Sequence, residues 1–332
     1  MLDFDDIPKI DAHLHFNTDR PALIEQAASD DFQLLTINTE VPFFPDIYRQ
    51  SEIARAHQNG RLHHLTTFST ENWGEPGWQE KALQKIKKDL ERGASGVKVW
   101  KNIGMTLQDK EDNFVMIDDP SFDPIFDYLE KHSVPLLGHL GEPKNCWLPV
   151  DEMTVSGDRD YFRAHPEYHM YKHPEYPSYE QQIEARNNML EKHPDLQFIG
   201  AHLASLEWSV DRIAEWLDRF PDAAVDLAER ICHLQYQAVE EHEKVRNFLI
   251  TYQDRILYGT DVIDDGNLSD QALKNHIHEL WSRHWDFFQN GDKMQAPKVD
   301  KPFNGMNLPD DVMEKIFHDN ALRWYPSLKS KT

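Results

Sequence analysis

The stretch Lys9-Ile10-Asp11-Ala12-His13-Leu14-His15-Phe16 sets two imidazoles two residues apart. Read as a strand, it sends Asp11, His13 and His15 to one face, and Ile10, Ala12, Leu14 and Phe16 to the other. Two imidazoles on one strand face reach a single cation, and histidine is the commonest neutral ligand for zinc-like metals. Spacing alone decides little. With 18 His in 332 residues, composition predicts roughly one His-x-His by chance. His276-Ile277-His278 repeats the spacing inside a stretch that reads as a helix. The first pair gains meaning only if further ligands arrive from the ends of other strands.

The elements that would bring them can be counted. Short apolar runs at 9–16, 33–38, 62–68, 96–100, 134–139, 196–202, 223–227 and 255–261 read as strands. Helical periodicity fills the intervals, at 20–28, 45–59, 76–91, 122–131, 180–192, 206–219 and 238–252, and a last helix is expected over 309–324. Eight strand–helix alternations predict an α/β fold of the (β/α)8 TIM-barrel type, as one domain over residues 1–332. A doubly wound open sheet fits less well, because no Gly-rich phosphate loop follows the first strand. Two insertions are expected at the catalytic end. Residues 141–179, after the fifth strand, carry many Pro, His and Tyr and suggest a lid; residues 264–310 follow the eighth strand and hold a helix opened by Ser269.

Aligning the strand ends gathers the chemistry. The fifth run ends in His139, the sixth in His202 and the eighth in Asp261. Each alone reads more simply as a buried, hydrogen-bonded side chain. Five metal-competent residues at four strand ends make that reading poor, because hydrolytic zinc sites use about three or four such ligands and leave a position for water. In Gly96-Val97-Lys98-Val99-Trp100 the valines face outward, and Lys98 points into the barrel with Trp100. An inward Lys is costly unless it is paired or modified.

Asp-Ala-His-Leu-His on the first strand, single His residues ending the fifth and sixth, and Asp261 ending the eighth resemble the amidohydrolase superfamily. The amidohydrolase-2 group of hydrolases and decarboxylases is the branch it is most similar to. The closing run from Val312 to Tyr325, with Asn320-Ala321, resembles that group's last helix. The resemblance spans residues from about 9 to 326 and implies a metal-dependent hydrolase in which a metal-activated water attacks a lactone, ester or amide carbonyl. It implies His13, His15 and His139 as ligands, and Asp261 as ligand and catalytic base. His202 becomes either a second-metal ligand or a catalytic group acting on substrate. Lys98 would bridge two ions if carboxylated, or contact an anion in a one-metal site. Asp11 would orient a ligand imidazole from behind. The cofactor implied is one or two divalent ions, Zn2+ first and Mn2+ second; a homodimer is the family's habit.

Weaker candidates surround this set. Arg230 could bind a substrate carboxylate through its planar fork, against the plainer reading of an ion pair with Glu229 or Asp226. Glu142 sits at the expected mouth, and Trp100, Trp147 and Tyr171 could line the pocket. The prolines within 165–177 preclude a regular helix there. A net charge of −23 speaks against nucleic acid and anionic membranes as partners, leaving a small-molecule substrate. Cys146 and Cys232 indicate neither a disulfide framework nor a thiolate zinc site. No apolar run approaches about 18 residues, and no signal-like start is present, so a cytoplasmic enzyme is expected unless a leader has been removed. Three rivals share parts of this pattern. A non-oxidative decarboxylase would use the same metal site; a PHP-type phosphoesterase would need more acidic ligands at early strand ends; a non-catalytic barrel would close its coordination shell.

Overall fold

The computed structural model describes residues 2–57 and 60–329. Its strands β1 (Lys9–Phe16), β2 (Phe32–Ile37) and β3 (Leu62–Leu65) form one parallel run. A second comprises β4 (Val97–Val99), β5 (Leu136–Gly138), β6 (Phe198–Gly200), β7 (Ala223–Asp226) and β8 (Ile256–Leu257). Thr66 and Val97 pair across β3 and β4, and the ring closes where the Ala12 N–H donates to the Tyr258 carbonyl at 3.0 Å. Beyond Asp261 the eighth strand resumes as β9 (Ile263–Asp264), paired in parallel with His15 and Phe16. This is the expected TIM barrel, with helices outside.

The elements fall near their expected places. The expected helix over 45–59 runs Ile47–Ala56, opened by Asp46, whose side chain accepts from the Tyr48 and Arg49 amides; its expected end at Asn59 lies outside the described residues. The expected helix over 238–252 starts earlier, at Ile231. Its first turns bury His233 and Gln235 beside Ile231 and Leu234, so polar residues on the packed face obscure the periodicity.

One expectation fails in a way that matters for the site. Strict alternation along β1 does not hold, because the register shifts between Asp11 and Leu14. Below that bulge Ile10 and Ala12 point inward, packed with Leu35, Leu137, Ile199 and Leu257 from the other strands. Above it Leu14 and Phe16 pack among the outer helices, so His13 and His15 face inward. An extra residue in one strand flips every later side chain. Asp11 is thereby turned to the outer face, away from the two imidazoles. The barrel floor is filled by Trp324, Tyr325 and Leu328, brought there by a C-terminal helix that passes through a π-helical turn at Lys315–Asp319. Asn320 fixes it, donating to the Gln253 and Ile256 carbonyls at 2.6 and 2.7 Å.

The segment after β5 folds as short turns and one helix, Ser156–Ala164. Its Cys146, Met153, Phe162 and Met170 form a small core with Met105 from the segment after β4. The segment after β8 carries the helix Asp270–Gln289, whose cap Ser269 accepts from the Ala272 amide at 3.3 Å. The two segments touch where the Ser156 amide donates to the Lys298 carbonyl at 3.1 Å.

Candidate metal centre

At the C-terminal end of the barrel His13 Nδ1 lies 2.7 Å from an Asp226 carboxylate oxygen, and His15 Nδ1 lies 2.8 Å from the Ile37 carbonyl. A carbonyl only accepts, so the His15 Nδ1 carries the hydrogen and its Nε2 is bare in the neutral ring. The same holds for His13 beside ionised Asp226. Burial would raise the Asp226 carboxyl, but His13 and His202 hold it below the ordinary range. Both Nε2 atoms face one oxygen of Asp261, at 3.4 and 3.2 Å. Two lone pairs aimed at an anionic oxygen repel one another unless a cation lies among them. His13 Nε2 is buried with no hydrogen-bond partner among the described residues. The ligand atoms of His13, His15 and Asp261 lie within 4.8 Å of one another. This donor set fits a divalent ion, with each Nδ1 pinned by the outer hydrogen bond that ligand imidazoles use.

His139 and His202 stand beside this trio. His202 Nδ1 lies 2.9 Å from the Ala228 carbonyl, and its Nε2 lies 3.2 Å from His139 Nδ1. The first contact puts the hydrogen on His202 Nδ1, so His139 Nδ1 must donate to His202 Nε2, leaving His139 Nε2 free. The His13 and His202 rings are 5.0 Å apart. Burial favours the neutral ring at three of these positions: it lowers His15 against the pull of Asp261, holds His139 well below the usual imidazole value, and takes His202 down to about 3. Burial would raise Asp261, yet the surrounding imidazoles, His202 foremost, keep it well below the usual carboxylate range. Neutral imidazoles and an ionised carboxylate are the forms that ligate metal.

The backbone is bent to present them. His202, Leu203, Ala204 and Ser205 all have positive φ, between 55° and 59°, a left-handed turn that costs about 1–2 kcal/mol per non-glycine residue. It is held from several sides. The His202 amide donates to Asp226 at 2.7 Å, Tyr179 donates to the Ser205 carbonyl at 2.5 Å, and Arg186 bonds the Ala204 carbonyl. Gly200 is needed beneath it, because a Cβ there would lie 2.5 Å from the Ala204 Cβ. Such stored strain is a mark of functional sites.

Lys98 points inward as expected, and its Nζ has no hydrogen-bond partner among the described residues. Burial lowers its pKa to about 8, against the opposing charges of Asp226 and Asp261. Glu142 pairs with Lys101, whose ammonium lies 5.8 Å from the Trp100 ring centroid. Arg230 forms no ion pair with Glu229 or Asp226: Glu229 pairs with Lys298, and Asp226 serves His13. Burial would lower the Arg230 pKa, but the charges of Asp158, Glu207 and Glu229 raise it. Its Nε is buried without a partner among the described residues. Asp226, the partner of His13, is not singled out by the sequence reading: there it figures only as an ion partner of Arg230, although it ends a strand just as Asp261 does.

A cavity of about 360 Å³ opens beside Asp261 and Thr260. Its far wall comes from the segment after β8, including Leu280, Arg283, Met294 and Phe303. Trp100, Trp147, Tyr171, Glu142 and Arg230 do not line it. Neither the aromatic insertion after β5, expected as its cover, nor His13, His15, His139 and His202 contribute side chains to this cavity. Tyr171 is exposed, and Trp147 packs on the insertion's own core.

Comparison with known proteins agrees with the barrel fold. A family model described as Amidohydrolase matches residues 73–327. An uncharacterised TIM-barrel protein from Bordetella bronchiseptica superposes with a TM-score of 0.55 at 15% identity, covering 97% of this chain and 99% of that one. A 2,6-dihydroxybenzoate decarboxylase from Rhizobium gives 0.54 at 15% identity, over 96% and 98% of the two chains. A structure described as amidohydrolase II gives 0.54 at 18%, over 96% and 99%. At these identities the likeness establishes the fold alone. Compared with curated protein sequences, the chain has no significant match.

Proposed function

This chain belongs to the amidohydrolase family, an enzyme family that acts on small molecules and generally uses a divalent metal, and from that premise we propose that it is a metal-dependent hydrolase of a lactone, ester or amide. The observation that carries the reading is the convergence of two bare Nε2 lone pairs on one oxygen of Asp261. His13, His15 and Asp261 would hold the ion, Zn2+ before Mn2+, with His139 as a further ligand. A divalent cation held there lowers the pKa of water and polarises a carbonyl. Asp261, ionised beside that position, takes the proton from the attacking water. His202 would either hold a second ion or act on the substrate, its ring fixed by the Ala228 carbonyl at Nδ1 and by His139 at Nε2. Lys98 joins the site either as a carboxylated bridge to a second ion or as a cation for a substrate anion. The buried fork of Arg230 would take a carboxylate on the substrate. Trp100 and Glu142 would edge the mouth, Glu142 held by Lys101.

The test is metal content of the untagged protein and of Lys98→Ala, followed by turnover of lactones, esters and amides set against release of CO2 from hydroxy-acids. Bound divalent metal with hydrolytic turnover is the expected result: about two ions per chain, falling in Lys98→Ala, assigns Lys98 to a carboxylated bridge, and about one ion, insensitive to Lys98→Ala, assigns it to a substrate anion. Release of CO2 without hydrolysis would replace this reading by decarboxylation on the same site. Absence of bound metal after reconstitution would remove it.

A further inference from the structure

Asp11 touches neither ligand imidazole ring, yet its carboxylate is bonded on every side. One oxygen accepts from the His13 amide at 3.3 Å and the Thr260 amide at 3.0 Å. The other accepts from the Thr260 hydroxyl at 2.6 Å and Trp281 Nε1 at 3.0 Å. The donors come from three places: β1, the end of the eighth strand and the helix Asp270–Gln289. The Thr260 hydroxyl oxygen in turn accepts from the Val262 amide at 3.2 Å. Both neighbours of Asp261 are therefore gripped, and its own amide donates to the His13 carbonyl at 2.7 Å. Asp261 needs holding, because its φ of 64° lies in the left-handed region that non-glycine residues avoid. The helix that supplies Trp281 also supplies Leu280 and Arg283 to the cavity wall.

We infer that Asp11 is a positioning residue for Asp261. From the outer face of the barrel wall it locks Thr260, and with it Val262, so fixing the aim of the Asp261 carboxylate at His13 and His15. Through Trp281 it ties that aim to the helix that walls the cavity. The inference rests on the reading of His13, His15 and Asp261 as a cation site.

The chain contains a matched control. Thr66 donates to the buried Asp89 at 2.6 Å, the same kind of bond at the same length. It lies in the outer wall, where Asp89 also pairs with Lys85. Zn2+ affinity by chelator competition, the absorption spectrum of the Co2+ form, and melting temperature would be measured for wild type, Thr260→Val, Thr260→Ser, Trp281→Phe and Thr66→Val. Thr260→Val is expected to weaken metal binding about 10–100-fold and to shift the Co2+ bands. Trp281→Phe should act in the same direction but less, and Thr260→Ser should restore wild-type affinity. Thr66→Val should lower the melting temperature and leave affinity and spectrum unchanged. A Thr260→Val protein that behaves like Thr66→Val, less stable with wild-type affinity and spectrum, overturns the inference. If Thr260→Val does not fold, Trp281→Phe decides, since it deletes one donor and keeps the ring stacked 4.0 Å from Phe32; wild-type affinity and spectrum there overturn it as well. A wild-type protein that binds no metal overturns the cation-site reading, and this inference with it.

Discussion

His13-Leu14-His15 and His276-Ile277-His278 share a spacing, but the first lies on β1 and the second within the helix Asp270–Gln289. On the strand both rings turn to the barrel interior, with centroids 5.7 Å apart. On a helix two residues separate side chains by roughly 200°. His278 accordingly meets Asp30 at 2.9 Å, and His276 borders the cavity. The partners differ as well. In the strand pair each Nδ1 is engaged, which leaves two bare Nε2 atoms facing a carboxylate. In the helical pair the nitrogen engaged among the described residues belongs to His278, whose side chain is 50% exposed. A His-x-His becomes a site through backbone geometry and unsatisfied lone pairs together, and the spacing supplies neither.

The largest expected effect breaks the pairing outright. His13→Ala or His15→Ala should reduce bound metal to the detection limit, while His276→Ala and His278→Ala leave it unchanged, as measured by elemental analysis after dialysis. Metal loss in His276→Ala would collapse the distinction. A third buried imidazole sharpens it from another side. His64 has no hydrogen-bond partner for either ring nitrogen among the described residues, and burial lowers its pKa to about 4. Its folded value lies below the unfolded one of about 6.5, so the neutral ring is favoured in the fold. That contribution is complete above pH 6.5 and is lost as pH falls toward 4, roughly 3 kcal/mol in all. Urea midpoints across that window should fall steeply for wild type and less for His64→Leu. Equal slopes would remove His64 as the cause.

The convergence of His13, His15, His139, His202 and Asp261 is legible in the sequence because strands, their order and their polar ends are written locally. His139, His202 and Asp261 each end an apolar run that a period of two reveals. Alternation stopped serving at the β1 bulge, where one extra residue depends on how β1 registers against its neighbour and leaves no mark in the sequence. Alternation alone therefore places Asp11 on the ligand face, and nothing in it marks Asp226 as the partner of His13. The cavity wall was hidden for a related reason. Both long insertions emerge at the same end of the barrel, and composition favoured the aromatic one after β5. Which of them walls the cavity beside Asp261 is decided by tertiary packing, such as the Ser156–Lys298 contact.

Asp226→Asn tests the hidden half of the strand pair. An amide keeps the size but removes the charge that fixes the His13 tautomer, so metal affinity should fall about 10–100-fold, read by chelator competition. Wild-type affinity in that variant would mean that His13 is oriented by packing alone. The smallest effect belongs to the helical pair. His278→Ala removes a contact to Asp30, but Asp30 also accepts from Gln26 at 2.9 Å, so no buried carboxylate is orphaned. With the imidazole half exposed, the loss should stay below about 1 kcal/mol, measured by denaturant midpoint. A larger loss would show that His278 holds the helix Asp270–Gln289 against the barrel through Asp30. The second His-x-His would then carry a structural contact where the first presents its Nε2 atoms to Asp261.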